Sequence, residues 1–402
     1  MAGTERRALW IYPWDILDSG IDETVRRAKN EWGLSALSLA TSYHSAKFLL
    51  PKRSRERVFL SEGSAIYFRP NDEMYRGSSL RPLVTRRGEL LDVLDQTAEA
   101  CHRHGITLRA WTVGLHNSRL GEAHPGACLV NVFGDTYPWA LCPANPEARA
   151  YQIGLVKDLA TNHGLDAIDL ESVGFHGLTH GHHHELIGIT FGPIEEFLMG
   201  LCFCQHCLDR AGAAGLDGER LRAQVAAVLE RRFSEEASLA VEAPDRSQVL
   251  SLLANWPALM NYVRVRQETV TSMVRDVKAQ AIAGTGVDLA MTTLTFYRGV
   301  DNAWLEGVDV HSCASSDAAD EVILLSYFPT VGQVTADIRF AQMLVPEMER
   351  VVVGMSLLAQ GTTSGANLRE KVQAARDLGT TKFSFYNYGF ISEERLSWLG
   401  TL

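Results

Sequence analysis

Eight short apolar segments alternate with helical patterns along the 402-residue chain, and this alternation constrains the fold more than any other feature. The segments are apolar throughout rather than at every second residue, which is typical of parallel strands buried on both faces. Apolar residues at helical spacing lie between the segments. The sequence therefore predicts one α/β domain over residues 1–402, a (β/α)8 TIM barrel with strands near residues 8–12, 36–40, 106–113, 164–172, 288–292, 321–327, 350–356 and 382–388.

Two long stretches interrupt this repeat. We expect residues 44–87 to be an insertion after strand 2 and residues 172–244 to be an insertion after strand 4. In this fold the active site lies at the C-terminal ends of the strands, so both insertions should emerge there and narrow the mouth into a pocket. Between them, residues 121–137 are expected to form a loop, and a helical pattern returns over residues 248–283.

Strand 4 ends in two carboxylates that are two residues apart, Asp169 and Glu171. Alternate side chains of a strand share a face, so both point the same way. A carboxylate at the end of a buried strand is costly to desolvate, and catalysis is a common reason to keep one there. The alternatives are that both are solvated loop residues or that they are tied to a neighbouring arginine.

The other predicted strand ends carry many aromatic and polar side chains. Such a rim commonly stacks aromatic faces on sugar rings, although some of these aromatic residues could belong to the barrel core instead. The candidate substrate-binding residues are Tyr12, Trp14, Tyr43, His44, Trp111, His116, Tyr386 and Asn387.

A cluster of cysteines stands within the second insertion, as Cys202-x-Cys204-x-x-Cys207. Three thiolates this close in sequence suit tetrahedral zinc, and Cys142 or a histidine could supply the fourth ligand. The alternative is three reduced thiols without metal. A second cluster, His180, His182, His183 and His184, could bind a metal or form a mobile loop over the barrel mouth.

Composition and motifs exclude several functional classes. The net charge of −10 argues against a nucleic-acid partner. No apolar run has the length of a membrane helix, and no signal peptide precedes the first strand, so we expect a cytoplasmic protein without a membrane partner. The motifs of nucleotide-binding loops and of a serine nucleophile elbow are missing from the sequence.

The cysteine motif, downstream of a strand-4 carboxylate, resembles glycoside hydrolase family 42, and the chain also resembles family-10-like barrel proteins. The resemblance implies a structural Zn2+ held by Cys142, Cys202, Cys204 and Cys207. It also implies that Glu171 is the general acid/base of a glycosidase, with Asp169 in support. Two departures stand out: Leu170 replaces the asparagine before the acid/base residue, and the strand-7 end carries no nucleophilic carboxylate.

A weaker likeness links Asp169-x-Glu171 to the end of strand 4 in glycoside hydrolase family 18. There a strand-6 tyrosine helps an acetamido group of the substrate to attack, and Tyr327 ends strand 6 here. We place Tyr327 and His116 as positioning groups and expect Asp169 to raise the pKa of Glu171 as a nearby like charge. A loop carboxylate such as Asp301 or Glu306 could still supply a nucleophile.

Together these features predict a hydrolase for a small carbohydrate or glycoside rather than a polymer, and dimer or trimer contacts could complete the pocket wall. Two alternatives stay open. One is a lyase or isomerase acting on a sugar-like substrate, and the other is an inactive carbohydrate-binding barrel. The missing strand-7 carboxylate is the feature that separates the hydrolase from these alternatives.

Overall fold

A closed barrel of eight parallel strands forms the centre of the computed structural model, which describes residues 5–53, 56–181, 188–189, 192–234, 247–293, 299–345 and 347–402. The first strand, Arg6–Ile11, pairs in parallel with both Ala36–Tyr43 and Lys382–Tyr386, and this double pairing closes the barrel. The predicted (β/α)8 fold is confirmed. The barrel strands are β1 (Arg6–Ile11), β2 (Ala36–Tyr43), β3 (Thr107–Val113), β4 (Ala167–Glu171), β5 (Asp288–Thr292), β6 (Glu321–Leu325), β7 (Val351–Ser356) and β8 (Lys382–Tyr386).

Helices surround the barrel and fill the segment after β4. None of the described helices is long and apolar enough to cross a membrane. The α-helices are α1 (Pro13–Ser19), α2 (Ile21–Asn30), α3 (Val93–His104), α4 (Ser118–Ala123), α5 (Pro146–Asn162), α6 (Pro193–Met199), α7 (Gln205–Ala213), α8 (Gly218–Ser234), α9 (Ser247–Asn255), α10 (Pro257–Val277), α11 (Val310–Cys313), α12 (Val331–Leu344), α13 (Gly365–Asp377) and α14 (Glu393–Ser397).

Two segments differ from the sequence-based expectation. Residues 121–137, expected to form a loop, contain the end of α4 and most of a hairpin between Cys128–Val130 and Thr136–Leu141. The helical segment after residue 247 is divided into α9 and α10 at Pro257, which occupies the first turn of α10. Proline has no backbone N–H to continue a preceding helix, so it favours a new helix start.

The chain after β2 forms a hairpin before it reaches α3. Lys47–Leu49 pairs antiparallel with Val58–Leu60, and Ala65–Ile66 then adds to the edge of β2. The side chains of Phe48 and Phe59 are buried, while their strand neighbours are exposed. This alternation shows that one face of the hairpin packs onto the barrel.

The segment after β4 has an apolar core of its own. Helices α6, α8, α9 and α10 bury a second cluster that includes Leu198, Val225, Leu253 and Leu259. Within that segment His182, His183 and His184 lie outside the described residues. The cluster gives the segment a rigid base from which it can present side chains beside the barrel mouth.

Charged side chains fill the interior of the barrel towards the N-terminal ends of its strands. Glu321 accepts from Arg6 at 2.6 Å, from Lys382 at 2.7 Å and from Arg109 at 2.9 Å, and Arg109 also pairs with Asp169 at 2.6 Å. Burial raises the pKa of Glu321, but the three cations outweigh it and hold that pKa at about 2. We refer to these five residues as the charged floor.

Candidate active site

Glu171 is the last residue of β4 and stands at the mouth end of the barrel. Its side chain is 6% exposed, and Oε2 accepts a 2.6 Å hydrogen bond from Nε1 of Trp111. Burial raises the pKa of the carboxyl to about 7, although the bond from Trp111 lowers it in part. A carboxyl with a pKa near neutrality can both give and take a proton at physiological pH.

The chain turns sharply directly after Glu171. Ser172 has a φ of 60°, in the left-handed region that a non-glycine residue seldom adopts. The backbone there is held by bonds from Gly114 N to Glu171 O and from Leu115 N to Ser172 O. Strained backbone held in this way is frequent at functional sites.

Asp169 lies one strand repeat below Glu171 and belongs to the charged floor. Its Oδ1 accepts from Nε and Nη2 of Arg109 at 2.8 Å and 2.6 Å, and its Oδ2 accepts from Ser38 at 2.5 Å. The pKa of Glu171 is raised as expected, but the cause is burial of the carboxyl rather than the charge of Asp169. The alternative of a tie to arginine describes Asp169 correctly.

Aromatic rings surround Glu171. Trp111 contacts Tyr12 and Tyr43 with ring centroids 5.0 Å and 5.2 Å apart, and Tyr386 at 6.0 Å. Burial raises the pKa of Tyr386 to about 12, and the nearby charge of Glu171 adds to that rise. The structure therefore brings four of the predicted rim residues together around the candidate acid.

Tyr327 follows β6 and joins the same group. Its ring stacks on Tyr386 with centroids 5.5 Å apart, and the side chain is half-buried. Burial raises the pKa of Tyr327, with smaller contributions from Tyr386 and Glu171. Its phenol is thus within electrostatic reach of the carboxyl.

Two of the predicted substrate-binding residues, Trp14 and Asn387, are packed against other parts of the chain. Trp14 is 3% exposed and lies beneath the hairpin, stacked on Phe59 and Phe48 at 4.6 Å and 5.7 Å. Asn387 is fully buried, and its Oδ1 accepts from Gly389 N, which fixes the turn after β8. Tyr12 and Trp111 are buried to the same degree, so their role in substrate binding, like that of Trp14 and Asn387, stays a prediction.

A cluster of histidines lies beside this aromatic group. His44 stacks on His116 at 4.5 Å, and His116 contacts His180 at 4.7 Å. His180 in turn contacts His176 at 4.2 Å. Together with Glu306, His176 and His180 place their donor atoms within 4.8 Å of one another, a spacing at which they could hold a metal ion.

Sequence reasoning missed the partners of His180 in this cluster. It grouped His180 with His182, His183 and His184, which lie outside the described residues, whereas the structure joins it to His176 and Glu306. The signal available was position: His176 follows β4 by five residues and Glu306 follows β5, and both strands end at the catalytic face.

Cys142, Cys202, Cys204 and Cys207 converge, as the family resemblance implies. The Sγ atom of Cys142 lies 3.9 Å from that of Cys202, 3.6 Å from that of Cys204 and 3.5 Å from that of Cys207. These separations are far longer than a disulfide bond. The four buried thiols could hold a metal ion, and the site would join the segment after β4 to the chain before α5.

Another buried carboxyl, Asp15, is not among the residues predicted from the sequence. It lies in α1, just after β1, and is 3% exposed. Burial raises its pKa to about 7, against the opposing effect of Lys52 and Arg53. Its carboxylate lies so close to Gly389 that a side chain there would collide with it, so Asp15 packs under the turn after β8.

Comparison with solved structures identifies the architecture. The β-galactosidase of psychrophilic Marinomonas ef1 has a TM-score of 0.55 and 11% identity, over 98% of this chain and 58% of its own. The α-L-fucosidase isoenzyme 2 of Paenibacillus thiaminolyticus has a TM-score of 0.54 and 13% identity, over 99% of this chain and 48% of its own. The chain has a glycoside-hydrolase-like barrel fold.

The comparison extends to a group IV chitinase of Ostrinia furnacalis in complex with allosamidin. It has a TM-score of 0.50 and 8% identity, over 99% of this chain and 98% of its own. This chain spans about half the length of the β-galactosidase and the fucosidase. No protein-family model matches the chain, and no curated protein matches it in sequence. The glycoside-hydrolase-like barrel is confirmed, and family 42 in particular stays a prediction.

Proposed function

We propose that the protein is a glycoside hydrolase that acts on a small glycoside or sugar-derived metabolite, with Glu171 as its general acid/base. The observation that carries the proposal is the Glu171 carboxyl, buried at the C-terminal end of β4 with a pKa of about 7. Proton donation to a leaving glycosidic oxygen needs a carboxylic acid that is still protonated near neutral pH. The structurally similar proteins include a β-galactosidase, a fucosidase and a chitinase, which supports this reaction class.

The residues around Glu171 suggest how the reaction proceeds. The Trp111 indole fixes one carboxyl oxygen, which leaves the other for the leaving group. The end of β7 offers Met355 and Ser356 rather than a nucleophilic carboxylate. The attack would therefore come from water or from a group of the substrate itself, with the Tyr327 and Tyr386 phenols as positioning groups.

The test compares Glu171→Gln with the wild type on a panel of methyl glycosides, whose alkoxide leaving group must be protonated as it departs. Glutamine keeps the acceptor for Trp111 but holds no transferable proton, so turnover should fall by roughly 10²–10⁴-fold while sugar binding, measured by calorimetry, stays nearly unchanged. Glu23→Gln, at an exposed ion pair on α2, is the matched control. Wild-type turnover in Glu171→Gln would show that the acid lies elsewhere on the rim.

The missing strand-7 carboxylate also favours a second candidate, a barrel that binds sugars without hydrolysing them or that acts as a lyase or isomerase. The same panel separates these candidates. Sugar binding without release of free sugar from any glycoside would support the second candidate over the first.

The cysteine cluster supports a structural zinc site. Around a tetrahedral zinc with ~2.3 Å bonds, neighbouring sulfurs lie about 3.8 Å apart. The measured distances of 3.5 to 3.9 Å fit this geometry. Four thiolates fill the coordination sphere, so the ion would have no position for a reacting water and would serve to hold the segment after β4 in place.

A further inference from the structure

The loops after β4 and β5 meet beside the barrel mouth at His176, His180 and Glu306. Nδ1 of His176 lies 3.4 Å from Oε2 of Glu306, and Nδ1 of His180 lies 4.0 Å from Oε1. From this geometry we propose that the three side chains form a second metal site, which takes a divalent transition ion such as zinc. The site is separate from the cysteine cluster and does not depend on the role of Glu171.

The distances fit ligands of one ion better than they fit hydrogen bonds. Two donors bound to a tetrahedral zinc at about 2.05 Å lie about 3.4 Å apart. The His176–Glu306 separation has this value and is longer than an ordinary N–H···O bond. The His180 separation exceeds it by a little over half an ångström, which a small rotation of the imidazole would remove.

The backbone holds the two loops in place for this purpose. Phe175 N donates to Glu306 O at 2.8 Å, so the residue before His176 is bonded to the residue that carries the carboxylate. A side chain at Gly174 would come within 2.5 Å of that same oxygen, so only glycine permits this approach. Because the loops are already joined, little reorganisation would be needed to bind an ion.

Arg266 of α10 supports both loops from below. Its Nη2 donates to Leu305 O at 3.1 Å, and its guanidinium lies 4.7 Å from the ring of Phe175. Arg266 therefore contacts the neighbour of each loop's ligand, Phe175 beside His176 and Leu305 beside Glu306. Such outer contacts orient metal ligands and affect affinity.

The donor set selects the kind of metal. Two imidazoles and one carboxylate suit zinc or iron(II), whereas calcium and magnesium prefer oxygen ligands alone. Three protein ligands leave a position open for water or for a substrate oxygen. His180 and Glu306 also line a small cleft towards α6.

The test is a cobalt titration of protein that keeps its cysteine-bound metal but has been dialysed against a mild chelator. Wild-type protein should bind about one further Co2+ per chain, with visible d–d bands but without near-ultraviolet thiolate-to-cobalt charge transfer, because no sulfur is among the ligands. Binding is measured by calorimetry and by absorption.

Two variants and one control complete the design. Glu306→Gln and His176→Ala should weaken Co2+ binding by at least about tenfold, the lower end of the effect of losing even an outer partner of a metal ligand. His102→Ala, at an exposed histidine of α3, should bind as the wild type does. Should His176→Ala fail to fold, the nearly isosteric Glu306→Gln decides the question.

Two results would overturn the proposal. One is equal Co2+ affinity in the wild type and in folded Glu306→Gln. The other is a spectrum with thiolate charge transfer alone, which would mean that cobalt enters only the cysteine cluster.

Discussion

Burial stabilises the protonated form of Glu171, and the hydrogen bond from Trp111 opposes that effect. The groups that face it, Tyr43, Tyr327 and Tyr386, keep their protons across the neutral range, because burial raises the pKa of each phenol. Their hydroxyls therefore act as fixed dipoles while the carboxyl titrates. Glu171 can therefore gain or lose its proton near neutral pH while these three phenols stay protonated.

The same pKa predicts how stability depends on pH. The carboxyl titrates near 4.3 in an unfolded chain and at about 7 in the folded protein, so the folded state binds more protons between these values. The stabilisation that the folded state gains from this proton is fully present below the unfolded pKa and is lost as pH rises through about 7. Glutamine does not titrate, so Glu171→Gln lacks this loss. The free energy of unfolding of the variant minus that of the wild type should therefore be larger at about pH 8 than at about pH 5, by up to roughly 3 kcal/mol.

Urea unfolding of both proteins at the two pH values measures this difference. Asp15, whose pKa is also raised, is present in both proteins, so its effect cancels in the comparison. If the difference in free energy of unfolding between the variant and the wild type is the same at both pH values, the pKa of Glu171 is not raised in the folded protein.

Asp169 should matter for folding rather than for proton transfer. Removal of one partner from a buried ion pair leaves an uncompensated charge, so Asp169→Asn should lower the free energy of unfolding by about 3–5 kcal/mol. The exposed pair of Glu23 with Arg26 is the control, where Glu23→Gln should cost less than about 1 kcal/mol. Denaturant titration compares them, and equal small losses in both would contradict a structural role for the charged floor.

The carboxylate pair could be found in the sequence, but its division of roles could not. Alternation along a strand predicts that Asp169 and Glu171 point into the same space. What separates them is Arg109, which is 60 positions from Asp169 and reaches it only because β3 and β4 pair in the barrel. Partners so distant in sequence leave no local pattern to read.

At the scale of elements, the hairpin after β2 packs over one residue of the predicted rim. Its Phe48 and Phe59 cover Trp14, while Leu49, Val58 and Leu60 on its other face are exposed. Sequence indicated an insertion here, but it could not reveal which rings the insertion covers. The eight barrel strands were easier to predict, because burial on both faces makes them continuous apolar runs.

The cysteine cluster joins three elements: the hairpin strand that ends at Leu141, the turn before α7 and α7 itself. Cys207→Ser should therefore remove about one zinc per chain and destabilise the segment after β4, since structural zinc contributes directly to folding. Elemental analysis and thermal unfolding measure both effects. Cys101→Ser, at a buried thiol outside the cluster, should keep its zinc, and loss of metal from neither variant would contradict the site.

For the whole molecule, we expect the two long connections at the C-terminal face to limit what can reach Glu171. The hairpin covers the β1 and β2 side, and the segment after β4 rises beside His176 and His180. We expect turnover of short glycosides to exceed that of a long polysaccharide, because a pocket admits a chain end but not the middle of a polymer. Product analysis on oligosaccharides of increasing length tests this, and preference for the polymer would contradict it.

The charged floor also affects how a ligand enters and leaves the barrel. Arg109, Asp169 and Glu321 are each less than 4% exposed and lie below the ring of aromatic side chains. A ligand that enters past those rings cannot pass through the barrel, so it must leave by the same opening. Product must then be released before the next substrate molecule can bind, so a slowly released product would act as a competitive inhibitor.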